Sequence, residues 1–159
     1  MRRRRSAVAV LAITAALLCL SFAGAGAAVA KQKIPAAGTI TLVSNTVLSE
    51  KQIGGNTLTR AVAVVRFGGT LVGPATEPYT NIALANGRTI QFGTGSFSGS
   101  LAGRTGTLRY VFHGDATSGV IRIIGGSGGL RGTHGRLAYE LTSTTPVAVF
   151  GYSGWVSLR

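Results

Sequence analysis

The chain has 159 residues, 45% of them hydrophobic and 13% charged, with 16 basic side chains against 4 acidic ones and a net charge of +12. So much apolar content excludes a disordered chain. One cysteine excludes an internal disulfide, and two histidines without ligand-spaced partners form no metal-binding pattern, so no metal or other cofactor is expected.

In chain order, Arg2, Arg3, Arg4 and Arg5 make a positive n-region, and Ala7 to Phe22 form an almost uncharged apolar run. Ala28-Val29-Ala30 has the small-x-small form that signal peptidase accepts. Residues 1–30 are therefore read as a signal peptide cleaved near Ala30, and the protein as secreted or extracytoplasmic. The alternative is an uncleaved membrane anchor, which the alanine- and glycine-rich run and its small-residue end disfavour. Cys19 follows Leu18, where a lipobox needs a small residue, and it leaves with the signal.

The 129 residues after Ala30 suffice for one domain and not for two. Residues 31–37 are read as a short linker and 38–159 as the domain. Loss of the four signal arginines leaves 12 basic residues against 4 acidic ones, a net charge of +8. The later arginines, from Arg60 to Arg159, stand singly with no basic block or arginine–aromatic repeat, so nucleic acid is not an expected partner. An exported protein of this charge meets anionic cell-envelope polymers and lipid headgroups instead.

No stretch after the signal carries a helical period. Apolar residues recur at every second position, broken by glycine, asparagine or threonine roughly every eight to twelve residues. Thr39–Val43, Leu58–Phe67, Thr70–Val72 and Tyr79–Ala85 open the series. Asn86-Gly87 predicts a type I′ hairpin from Tyr79–Ala85 into Arg88–Phe92, a turn that needs positive φ at both central residues. Ile90 and Phe92 stand on even positions, Phe97 and Leu101 on odd ones. A glycine bulge at Gly93 or Gly95 would return all four to one face. Leu108, Tyr110 and Phe112 share a face opposite Arg109, Val111 and His113, and Val120–Ile124 follows a turn at Gly114-Asp115. Leu137, Tyr139 and Leu141 lie opposite Ala138, Glu140 and Thr142, and Val147–Leu158 is the last strand. About eight strands joined by short turns predict an all-β fold, a closed antiparallel up-and-down barrel.

The chemistry on offer is sparse. Gly125 to Gly129 satisfies G-x-S-x-G, but no helix follows Ser127 and no acid stands between it and His134, so no nucleophile elbow is expected. Gly125, Gly126, Ser127, Gly128, Gly132 and Gly135 are read as a structural motif that lets a tightly curled strand bend. Glu50 and Glu77 fall in loop-like sequence. Glu140 would be interior, with a raised pKa, if Leu137, Tyr139 and Leu141 face outward; Arg109 and His113 pose the same question on their strand. These three are the catalytic candidates, with a solvent-facing strand position as the simpler reading of each. Phe92, Phe97, Tyr110, Phe112, Tyr139 and Trp155 would either line a cavity for a small hydrophobic ligand or fill the interior solid. A cavity above roughly 300 Å³ would favour the ligand.

The run from Ile123 to Leu137 resembles the signature of the allene oxide cyclase-like barrels. That group holds the plant dirigent proteins, the allene oxide cyclases and small bacterial domains without assigned activity. Its Gly-Gly-Ser/Thr-Gly-x-apolar-x-Gly segment stands here as Gly125-Gly126-Ser127-Gly128-Gly129-Leu130-Arg131-Gly132. Gly95–Gly99 and Gly103–Thr107 look like the neighbouring strands of the bacterial members, and the likeness runs from about Arg88 to Leu141. The resemblance implies an eight-stranded antiparallel barrel with a central cavity, assembled as a homotrimer. Dirigent proteins orient radical phenolic partners, and allene oxide cyclases fold a fatty-acid epoxide into a ring. Both hold a reactive apolar molecule in one conformation. Their polar pocket residues have no matching positions in this chain.

Three functions are expected, in order. The first is a secreted, cofactor-free barrel that binds a small apolar molecule in its central cavity, with dirigent-like guidance of that molecule's reaction. The second is a non-enzymatic cell-envelope or interaction domain with a basic surface. The third is an allene oxide cyclase-like isomerase, which needs a carboxylate or histidine inside the cavity.

Overall fold

Period-two alternation over nearly every residue after the signal leaves one way to bury the apolar half, a sheet closed on itself. The computed structural model describes residues 32–158. The expected signal peptide 1–30, its cleavage point at Ala30 and Cys19 lie outside the described residues. Eight strands follow one another: β1 Gln32–Ile53, β2 Asn56–Gly69, β3 Leu71–Ala83, β4 Thr89–Leu101, β5 Arg104–Gly114, β6 Ser118–Gly128, β7 His134–Ser143 and β8 Val149–Leu158. Each pairs antiparallel with the next, and β8 closes on β1 through pairs from Gln32↔Leu158 to Thr41↔Val149. The fold is the expected all-β closed barrel.

Inward positions run Ala61, Ala63, Val65, Phe67 on β2 and Leu71, Ala75 on β3, then Phe97, Leu101 on β4 and Leu108, Tyr110, Phe112 on β5. Ile121 and Ile123, Leu137 and Tyr139, and Tyr152 and Val156 complete the ring, with Ala36 and Ile40 on β1. The inward faces meet in a single hydrophobic core.

The connections β2–β3, β4–β5 and β6–β7 gather at one end with the start of β1, and β1–β2, β3–β4, β5–β6 and β7–β8 gather at the other. The first end is filled. Leu71, Leu101, Leu108 and Phe97 pack there, and Leu130 from the β6–β7 connection is 0% exposed among them. At the other end β1 outruns β8. Past Thr41↔Val149 it continues on β2 alone to Ile53↔Asn56. Two bulges interrupt that stretch, and they turn out Val43 and Leu48, 61% and 65% exposed.

Several sequence expectations change. Residues 32–37, read as linker, are the first part of β1 and pair with β8. Thr70–Val72 and Tyr79–Ala85, read as two strands, belong to the single strand β3 and its exit. Pro74 and Pro78 lack an N–H, and the β3–β4 ladder skips both positions while the β2–β3 ladder runs on. No bulge forms at Gly93 or Gly95. β4 pairs with β5 without a break, so Ile90 and Phe92 stay on the outer face, 43% and 46% exposed. The β3–β4 hairpin closes where expected, with Ala83↔Thr89, but of its two turn residues only Gly87 has positive φ, at 82°. The turn is therefore not type I′. The Asn86 side chain instead accepts from the Arg88 amide at 3.1 Å.

Candidate ligand-binding site

The interior divides into a solid half and a hollow half. In the solid half Phe67 touches three rings: Phe97 edge-on at 5.7 Å, Tyr110 at 6.0 Å and Tyr152 at 5.8 Å. The Tyr152 hydroxyl donates to the Gly68 carbonyl at 3.1 Å and accepts from the Leu71 amide at 3.0 Å, which ties β8 to the β2–β3 turn. Small positions make room for these rings. A Cβ at Gly95 would fall inside the Tyr110 ring, and one at Gly93 would stand 2.8 Å from Phe112. Alanine could not replace glycine at position 95 without moving the tyrosine.

The glycine motif serves the plug. Carbonyl and amide bonds fold the β6–β7 connection back over the barrel end: the Leu130 amide donates to Ser127 and the Thr133 amide to Leu130. Gly106 and Gly126 lie where a Cβ would collide with the Ser127 or Leu130 backbone. Thus Gly125–Gly135 folds over the barrel end and closes it with one leucine. Ser127 Oγ pairs with Thr107 Oγ1 at 2.7 Å, not with a histidine.

Toward the opposite end lies a cavity of about 160 Å³. Its apolar walls include Ile40, Val65, Phe112, Ile121 and Phe150, and its polar groups are Asn45, Glu77, Tyr79, Gln91 and Tyr139. The volume falls below the 300 Å³ mark for a drug-sized ligand and matches the ~150 Å³ cavities that hold one benzene ring.

Among the described residues, Glu77 is the only charged one lining this cavity. Odd positions of β3 point inward, so it follows Leu71 and Ala75 into the interior. The Tyr110 hydroxyl donates to Glu77 Oε1 at 2.5 Å. Burial pushes the Glu77 carboxyl above its ordinary value, and the Tyr110 hydrogen bond opposes that rise without cancelling it. Burial and the nearby Glu77 charge push the Tyr110 phenol upward as well. The Tyr79 hydroxyl donates to Asn45 Oδ1 at 3.1 Å, so that pair is satisfied. The Tyr139 hydroxyl is not: it is buried without a hydrogen-bond partner. Its phenol is pushed up to about 12 by burial and by the Glu77 and Asp115 carboxylates, so it remains a donor at physiological pH. The Tyr139 ring stands edge-on to Phe150 at 5.8 Å. One partly buried acid therefore lines a ring-sized apolar space, and an unsatisfied donor is buried in its wall. Such a site can hydrogen-bond a single polar group on an otherwise apolar molecule, and the acid can give or take a proton there.

The residues singled out from sequence fall in three places. Phe112 and Tyr139 line the cavity, while Phe97 and Tyr110 are buried in the interior, Phe97 within the solid half. Phe92 and Trp155 are on the outer wall. Arg109, His113 and Glu140 are also exposed on that wall, because Leu108, Tyr110, Phe112 and Leu137, Tyr139 are the inward sets. His113 pairs across strands with Phe92, and Glu140 borders a shallow external trough with Ala37, Ala138 and Ser153. Sequence reasoning missed Glu77. Its surroundings read as loop-like sequence, yet its odd parity with Leu71, Ala75 and Tyr79 carried the signal.

No protein-family model matches this chain, and no curated protein sequence matches it. Solved structures do. A DUF3224-family protein of unknown function from Shewanella oneidensis MR-1 superposes with a TM-score of 0.65 at 18% identity, covering 81% of this chain and 98% of its own. The pterocarpan synthase dirigent protein GePTS1 gives 0.56 at 18% identity over 95% of this chain and 99% of its own. A second pterocarpan synthase dirigent protein, PsPTS1, gives 0.54 at 20% identity over 80% and 96%. At these identities the likeness is one of fold, shared with these two dirigent proteins and the DUF3224-family protein.

Proposed function

We propose that this barrel is an exported, cofactor-free binding protein that takes up a small, mostly apolar molecule of about one ring through its open end. Glu77 and Tyr139 hydrogen-bond the molecule's single polar group. The observation that carries this reading is a cavity whose lining includes both Glu77, its only carboxylate, and Tyr139, whose hydroxyl is buried and unpartnered. A buried donor left unpaired costs about 1–3 kcal/mol, which a ligand oxygen would recover. Holding such a molecule against fixed walls restricts its conformations and so guides any reaction it undergoes, the entropy-trap role proposed here by analogy with dirigent proteins. Isomerisation is the stronger form of the same proposal, with Glu77 rather than Glu140 or His113 as the proton donor.

Titration with simple one-ring phenols and ketones, followed by calorimetry, tests the reading. Saturable binding is expected, weakened about tenfold or more by Tyr139→Phe and abolished by Val65→Phe, which fills the cavity. Failure of every one-ring probe to bind, or equal binding by the Val65→Phe protein, would refute it.

A further inference from the structure

The exterior is divided by charge along the barrel axis. Four carboxylates are present in the sequence. Glu77 is interior, and the other three sit toward the open end: Glu50 near the β1–β2 turn, Asp115 in the β5–β6 turn, and Glu140 opposite Ser118. The half nearer the plugged end carries Lys33, Arg66, Arg131 and Arg136, with Arg109 and Arg122 at its border near mid-strand, all exposed, and no carboxylate among the described residues.

Within that half, cross-strand register lines up Arg122, Arg136, Trp155 and Pro35 on four adjacent strands. At the usual strand spacing the row is about 15 Å long. Lys33 Nζ stands 4.4 Å over the Trp155 ring. Arg122 and Arg136 are directly opposed like charges, an arrangement that destabilises a sheet unless an outside anion answers it. Exposed Ile124 and Val72, 44% and 49%, lie in the same half. The trough beside this row is lined by Glu140 and by no lysine or arginine, so it does not suit a single anionic polymer chain. Spread arginines with their planar forks, an aromatic ring beside a lysine and a few apolar side chains suit a plane of phosphate headgroups.

We propose that the plugged end and the adjoining β6–β7–β8 wall form a docking face for an anionic phospholipid bilayer, holding the protein with its cavity mouth turned toward solvent. This goes beyond the ligand-binding reading and does not depend on it.

Trp155 is the only tryptophan in the chain, so its emission reports on this face directly. The test uses residues 31–159, which contain all eight strands and the whole core. Vesicles of equal parts phosphatidylglycerol and phosphatidylcholine are expected to bind the protein, shift Trp155 emission to the blue, and release it in about 0.5 M salt, where screening is nearly complete. Pure phosphatidylcholine vesicles are expected to bind at least about tenfold more weakly. The double change Arg122→Gln with Arg136→Gln should lower affinity about tenfold or more, and Arg60→Gln with Arg88→Gln at the other half should not. Arg122→Lys with Arg136→Lys keeps the charge and should retain binding, which separates lost attraction from a damaged fold. Four results would overturn the proposal: equal binding to both vesicles; binding with unshifted Trp155 emission, meaning docking through the apolar mouth residues such as Val47 and Ile53; tight binding of soluble inorganic polyphosphate with no vesicle binding; or full affinity in the double glutamine protein.

Discussion

Glu77 on β3 accepts a hydrogen bond from Tyr110 on β5 across the barrel interior, at 2.5 Å. Strand β4 lies between them, and there Gly95 leaves the tyrosine room to reach over. The contact joins the solid half of the core to the hollow half, and its consequences can be measured.

The first concerns pH. The folded-state pKa of Glu77 is raised above its unfolded value of 4.5, mainly by burial. Between the two values the native state holds the extra proton, so stability from this group is complete below the unfolded pKa and falls as pH rises through the folded one. Glu77→Gln should remove that fall and leave the protein more stable than the parent at neutral pH. Tyr110→Phe removes the interaction that opposes the rise, so the loss should extend to higher pH. Urea midpoints measured from about pH 4 to about pH 8 check both.

Asp115 supplies the opposite slope. Its carboxylate accepts from the Thr117 amide and hydroxyl and from the Ser118 amide, each at 2.8 Å, and its pKa is lowered as a result. The stabilisation is present above the unfolded pKa and disappears as pH falls through the folded one. Asp115→Ala should flatten the acid limb of the stability profile. An unchanged limb below about pH 4 would discount the turn.

Leu130 is fully buried in the β6–β7 connection, so Leu130→Ala should cost about 2–5 kcal/mol. Its exposed neighbour Arg131 should tolerate alanine within about 0.5 kcal/mol. Denaturant unfolding of the two proteins makes the comparison. Equal losses would mean that the connection does not plug the barrel.

Gly95→Ala should destabilise by about 1–3 kcal/mol through its collision with the Tyr110 ring. In the background Tyr110→Leu, which lacks the ring, the same alanine should cost far less. A double-mutant cycle reads the coupling, and additive losses would place the strain elsewhere.

Tyr152→Phe removes two bonds at once and leaves the buried Leu71 amide unpaired, at about 1–3 kcal/mol. Faster hydrogen exchange at Leu71 than at amides of β5 would be the local signature.

Much of the barrel could be read from alternation alone, because a side chain's face in a strand follows its parity. Leu108, Tyr110 and Phe112 were separated correctly from Arg109, Val111 and His113, but parity does not say which face is inside. That choice depends on closure of the whole ring, and it decides Glu140 and His113 against an interior role. Phe92 misled for a related reason. An aromatic residue on a strand suggests burial, yet β4 runs straight through Gly93 and Gly95, whose missing side chains are space for rings from β5 and not a bend. Glu77 was hidden because Pro74 and Pro78 look like strand breakers when only one neighbour is considered. They are tolerated because β2 supplies an unbroken ladder on the other edge.

Leu130 closes one end of the barrel, which leaves the cavity beside Glu77 to open at the other. Under the proposed binding role, a guest would depart by the route it took in, and a newcomer would wait for its predecessor to leave. Residence time would then be set at the rim, by residues such as Leu42, Ala116 and Ala148, and not by traffic through the barrel.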